Sequence, residues 1–155
     1  MRGFFKTVLL TGLFVGTTDL LSAYLTQWIK TGKFADKMLL YIAGAALGLE
    51  SSMNGGNWLA LLGLFFHYFI AFAFTLFFFW VFPKLKFLWY NKYLVGVLYA
   101  IFVSIAVDFI IQFFTPLPSH DFNLSNSIIG WFSLGVVFGI PISYNAYKYY
   151  EVESD

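Results

Sequence analysis

Asp19, His67 and Asp108 each stand inside a long apolar stretch of the chain. A charge in the middle of a hydrocarbon layer costs at least about 2.5 kcal/mol even on the mildest scale. Such groups therefore pair, line a wet cavity or turn toward other helices. An acid beside an imidazole can exchange a proton or hold a cation, and it can equally be a register lock between two helices. Glu50 is a fourth acid, closing a shorter apolar run ahead of the polar segment SSMNGG at 51–56. Its carboxylate would oppose the macrodipole if that run were a helix ending there. Two placements follow: exposure at the membrane surface, or an inward dip that brings Glu50 to the other three.

Small and polar residues recur around these groups. Gly96, Ala100, Ser104, Asp108 and Gln112 come every four residues, and Ala60, Gly63, His67, Ala71 and Thr75 nearly so. Gly12, Gly16, Asp19, Ala23 and Thr26 share a face that begins with GxxxG, and Gly135, Gly139 and Ser143 make a shorter stripe. Small residues let helix backbones approach closely, while polar ones bond across the contact. The expected polar site is thus Asp19, His67, Asp108, Glu50, Ser104 and Gln112. The expected packing positions are Gly12, Gly16, Gly63, Gly135 and Gly139.

The elements that must carry these residues follow from run length, since a helix needs about 20 apolar residues to cross the hydrocarbon. The stretches 7–29, 57–82, 94–115 and 127–147 qualify, whereas the run 38–49 is too short. The expected fold is an all-α membrane protein in one domain, 1–155. It is a bundle of four transmembrane helices with a short re-entrant or interfacial half-helix between the first and second. At a rise of about 1.5 Å per residue, Asp19 and His67 lie roughly 15 Å below the outer surface and Asp108 about 11 Å. With 60% hydrophobic and only 11% charged residues, the chain has under half the usual charge of a soluble domain, about 25%. Lipid must cover the remainder, and the 21 phenylalanines read as lipid-facing bulk. The first run reads as a span rather than a cleaved signal, because Asp19 interrupts it and no small-x-small site follows.

Cations set the orientation. If the short run does not cross, Arg2, Lys6, Lys84, Lys86, Lys92 and Lys148 share one side, against Lys30, Lys33 and Lys37 on the other. Both ends are then cytoplasmic and the 116–126 loop is external. Trp28, Trp58 and Trp131 fall near the outer ends and Trp80 and Trp89 near the inner ends, the headgroup levels that indoles prefer.

Several functions have no support in these residues. The net charge is +1 and no basic cluster exceeds an ordinary membrane flank, so no nucleic-acid partner is expected. With no cysteine there is no disulfide, thiolate metal site or thiol nucleophile. His67 has no partner at metal-ligand spacing, His120 belongs to the outer loop, and no hydrolase or phosphate-loop motif occurs. No metal, cofactor or catalytic residue is expected, and the chain does not read as an enzyme.

The segments GLFVGTTDLLSAYL, YIAGAALGLESSMNGGNWLALLGLFFHYFIAF and VVFGIPIS resemble a family of small four-helix bacterial inner-membrane proteins of unassigned activity. Its members read approximately GxxxGxxD in the first span, a short segment ending in GG, LLGLxxHxxIAF in the second span and GxPI in the fourth. The likeness runs from Gly12 to Ser143 and picks out Gly12, Gly16, Asp19, Gly44, Gly55, Gly56, Gly63, His67, Gly139 and Pro141. Many members carry asparagine where Asp108 stands and a histidine near Leu134. This chain lacks that histidine, so the resemblance brings no two-histidine metal or haem role with it. It implies the fold and a bacterial inner-membrane location, and no activity.

Three functions are compatible with this reading. The first is an accessory or scaffold subunit of a membrane complex, or a homo-oligomer. The second is binding or permeation of a small solute, ion or proton at Asp19, His67 and Asp108. The third is a lipid- or quinone-linked enzyme or carrier. The expected partners are the lipid bilayer and another membrane protein or a second copy.

Overall fold

The structure, a computed structural model, describes residues 2–33, 35, 37–117 and 124–154. Among these it is all-helical, without a strand. In chain order come α1 (Arg2–Thr31), α2 (Met38–Leu47), α3 (Leu49–Met53) and α4 (Asn57–Val81). Two 3-10 turns, Phe82–Lys84 and Lys86–Trp89, lead into α5 (Lys92–Phe114). The last helical stretch is α6 (Leu124–Leu134), a π turn Gly135–Gly139 and α7 (Ile140–Ser154). Four stretches are long and apolar enough to cross a membrane: Gly3–Thr31, Asn57–Lys84, Lys92–Phe114 and Ser127–Glu151.

Local chemistry sets the breaks. α2 ends at Gly48, whose φ of +84° is a conformation that side-chain-bearing residues avoid. The Asn91 side chain caps α5, accepting from the Tyr93 and Leu94 amides at 3.0 and 3.1 Å. Pro116 forces its predecessor out of helical conformation, and Thr115 (ψ 155°) ends α5 there.

The π turn has a proline behind it as well. Pro141 has no N–H to give the Val137 carbonyl four residues earlier, and its ring crowds that carbonyl. The five residues just before Ile140 widen into π geometry. The Thr18 hydroxyl of α1 donates to the Val137 carbonyl at 2.9 Å, supplying what the proline withholds. One turn away, the Ser22 and Ser133 hydroxyls are 2.8 Å apart. Two polar contacts thus fasten α1 to the last span.

α1 packs on α4 and on the last span, α5 packs principally on the last span, and α2 lies along α4. Backbone meets backbone at two crossings. A Cβ on Gly63 would strike the Leu39 carbonyl, with the Leu39 carbon at 2.8 Å and the Ala43 nitrogen at 3.3 Å, so α2 rests directly on α4. A Cβ on Gly96 would come within 2.6 Å of the Ile140 Cα, and one on Gly139 would strike the Gly96 carbonyl. Gly12 and Gly16 instead seat the Phe72 and Tyr68 rings of α4. Gly135 is buried, yet a Cβ there would meet only Val97, at an ordinary 3.5 Å.

The tightest packing gathers at the end where α4 and α5 are joined. Phe78, Phe79, Phe82, Ile142 and Ala146 are at most 2% exposed. The Tyr150 hydroxyl donates to the Phe79 carbonyl at 2.7 Å, and the Tyr99 hydroxyl to the Phe74 carbonyl at 2.6 Å. The expectation that the phenylalanines are all lipid-facing bulk is corrected here. Phe78, Phe79, Phe82 and Phe138 form core, because α4, α7 and the turn at Phe82–Lys84 converge around them.

Candidate functional site

Asp19 and His67 are brought together, and the surrounding contacts explain how. α1 and α4 run antiparallel, and Gly16 presents its carbonyl without a side chain in the way. His67 Nε2 lies 2.7 Å from the Gly16 oxygen. A carbonyl only accepts, so Nε2 carries the proton, and in the neutral ring Nδ1 keeps its lone pair. The next residue repeats the contact. The Thr17 hydroxyl donates back to the Leu13 carbonyl at 2.8 Å, which leaves its oxygen to accept from the Tyr68 hydroxyl at 2.7 Å. Asp19, three residues beyond Gly16, is half-buried and within electrostatic reach of the His67 ring. Its carboxyl makes no hydrogen bond among the described residues, so the pair is an electrostatic neighbourhood rather than a formed ion pair.

Asp108 does not share that neighbourhood. Along α5, Gly96 and Ala100 are buried, Ser104 is half-buried, and Asp108 and Gln112 are exposed. The expected single inward stripe is corrected on geometric grounds. With 3.6 residues per turn, a step of four overshoots a full turn by roughly 40°, so four steps rotate the stripe by roughly 160°. A stripe that starts against Ile140 at Gly96 therefore ends on the outer surface at Gln112. Similar depth is not convergence, because depth fixes height along a helix and leaves its azimuth open.

Glu50 stays outside too. It does not end a helix: Gly48 breaks the chain first, and Glu50 is an exposed residue in the first turn of α3. A carboxylate there no longer opposes a helix dipole. His120 lies outside the described residues, as does 118–123 of the loop that contains it. Among the described residues no three His, Cys, Asp or Glu side chains gather as a metal site would require.

Two features escaped the sequence reading. Thr18 and Ser22 tie α1 to the last span; Pro141 four residues after Val137 was the available signal for an orphaned carbonyl. Ser143 is fully buried, and its hydroxyl has no hydrogen-bond partner; its place in a small-residue stripe gave no hint of that. No protein-family model, curated protein or solved structure matches this chain.

Proposed function

We propose that this chain is a multi-pass protein of the bacterial inner membrane, with both termini cytoplasmic, acting as an accessory or scaffold subunit that self-associates through the outer half of α5. One observation carries the reading: Gln112 is exposed on α5, a helix of the length and composition that lipid surrounds. A side-chain amide set against hydrocarbon is unfavourable unless it is hydrogen-bonded, and a neighbouring polar helix relieves it. Ser104 and Gln112 lie on the same outward-rotating stripe, and polar residues of this kind join helices in lipid. A second copy fits because a glutamine amide both donates and accepts. A two-fold axis along the membrane normal brings the same face of each copy together. In that bilayer α2 is re-entrant, since it rests on Gly63, about 9 Å along α4 from its first residue.

The absence of native cysteine makes the test direct. Gln112→Cys should cross-link into a dimer under mild oxidation in membranes. Leu21→Cys, on an exposed face of α1, should remain monomeric. Equal yields at the two positions would remove α5 as the interface.

The Asp19–His67 neighbourhood supports a second reading, a proton or cation site formed by that pair without Asp108. Liposomes holding a trapped pH dye should then lose an imposed pH gradient faster with the wild-type chain than with Asp19→Asn. If the two variants, both folded by circular dichroism, give the same decay as protein-free liposomes, the pair serves packing alone.

A further inference from the structure

Beside the aromatic core at the end where α4 and α5 are joined, the structure leaves a groove. Where α4 turns into α5, a cleft of about 300 Å³ runs between the helices. Phe77, Val81, Leu85, Leu88, Leu98 and Phe102 are among its walls. Every lining residue is aliphatic or aromatic, and the one hydroxyl among them, on Tyr99, is committed to the Phe74 carbonyl at 2.6 Å. The cleft therefore presents hydrocarbon, with no group to recognise a polar ligand inside it. Its volume matches the lower end of pockets that hold small molecules, and a stretch of one acyl chain fills such a space.

The rim supplies what the walls lack. Lys84 precedes Leu85, and Lys86 stands between Leu85 and Phe87, both of which line the cleft. Lys84 Nζ sits 3.2 Å over the Trp80 ring, and Trp80 in turn packs on the Phe77 wall with ring centroids 6.5 Å apart. Lys86 is exposed. Two lysines that adjoin lining residues in the chain, one of them stacked on an indole that packs on the Phe77 wall, mark a headgroup level next to a tail site. We infer that this cleft holds one acyl chain of an anionic phospholipid, whose phosphate is met by Lys84 and Lys86. Charge decides the class. Each lysine near a membrane surface favours an anionic lipid by roughly fivefold, whereas a zwitterionic lipid with the same chains gains only the tail contacts.

Native mass spectrometry of the full chain in mild detergent tests this with phosphatidylglycerol and phosphatidylcholine of identical chains. The wild type should retain one phosphatidylglycerol under activation that strips phosphatidylcholine. Lys84→Gln with Lys86→Gln should lower that preference roughly tenfold or more while keeping weak binding of both lipids. Leu98→Trp, which fills the cleft, should lose both. Equal retention of the two lipids by the wild type overturns the inference, as does undiminished retention by Leu98→Trp. Should Leu98→Trp not fold, tryptophan quenching of the wild type decides. Phosphatidylglycerol brominated on its chains should quench more than brominated phosphatidylcholine at equal low mole fraction, and equal quenching overturns the inference.

Discussion

Thr18 illustrates how much one hydroxyl settles. Its oxygen lies 3.0 Å from the Phe14 carbonyl, 3.2 Å from Val15 and 2.9 Å from Val137. The first two are carbonyls of its own helix, and helical amides already serve those. Val137 is different, because Pro141 has withdrawn the amide that normally answers it. An unmet buried carbonyl costs about 1–3 kcal/mol, although interhelical bonds measured in membranes average nearer 0.6 kcal/mol. Thr18→Val should accordingly lower stability by about 1 kcal/mol. Pro141→Ala restores the missing amide, so Thr18→Val should be less harmful in that background. Thermal unfolding of the four variants in detergent measures the coupling. Additive effects would show that the proline and the threonine do not serve one carbonyl.

At the scale of elements, the small-residue stripes divide into two kinds of contact. Gly63 against Leu39, and Gly96 against Gly139 and Ile140, are places where two backbones touch and any side chain is excluded. Gly12 and Gly16 are shallow seats for aromatic rings of α4, which can shift. The spacing that invites close approach is the same in both. What differs is the partner: α2 brings backbone to Gly63, while α4 brings rings to α1. The helices also differ in what lies around them. α4 is engaged by α2 near Gly63 and by α1 and α7 along the rest, so its every-four stripe stays inside as it rotates. α5 leans mainly on the last span, so the same rotation carries Asp108 and Gln112 to the surface.

For the whole molecule, one end is an aromatic core and the other is assembled from α2, α3 and thinner contacts. Trp89 packs on Phe82 and Tyr147, and Lys92 reaches the Tyr144 and Tyr147 rings at 4.9 and 5.0 Å. The proposed orientation puts this dense, cationic end in the cytoplasm, as the lysine bias requires. Cysteines at Asn91 and Ser119 test it with an impermeant thiol reagent on intact cells. Ser119→Cys should label and Asn91→Cys should label only after permeabilisation. The reverse result would invert the topology, and would move the lipid cleft to the other leaflet.

Helices of spanning length were legible in the residues, because run length against a hydrocarbon thickness of about 30 Å is a one-dimensional matter. The end of the third span at Thr115 was legible for the same reason, whereas the break at Gly48 was not, because the short run was expected to close at Glu50. The similar heights of Asp19 and His67 were legible as well, from residue counts along each run. Rotation about each helix axis did not follow. Whether Asp108 looks inward, whether a phenylalanine is core or surface, and whether a glycine meets backbone or a ring all depend on which helix stands beside it. In a chain whose helices are apolar all round, hydropathy does not distinguish a lipid-facing side from a helix-facing one. Only the tertiary structure decided those azimuths, through the few contacts that have no substitute: Gly63 on Leu39, Gly96 on Gly139, and the Thr18 hydroxyl on a carbonyl that a proline left unpaired.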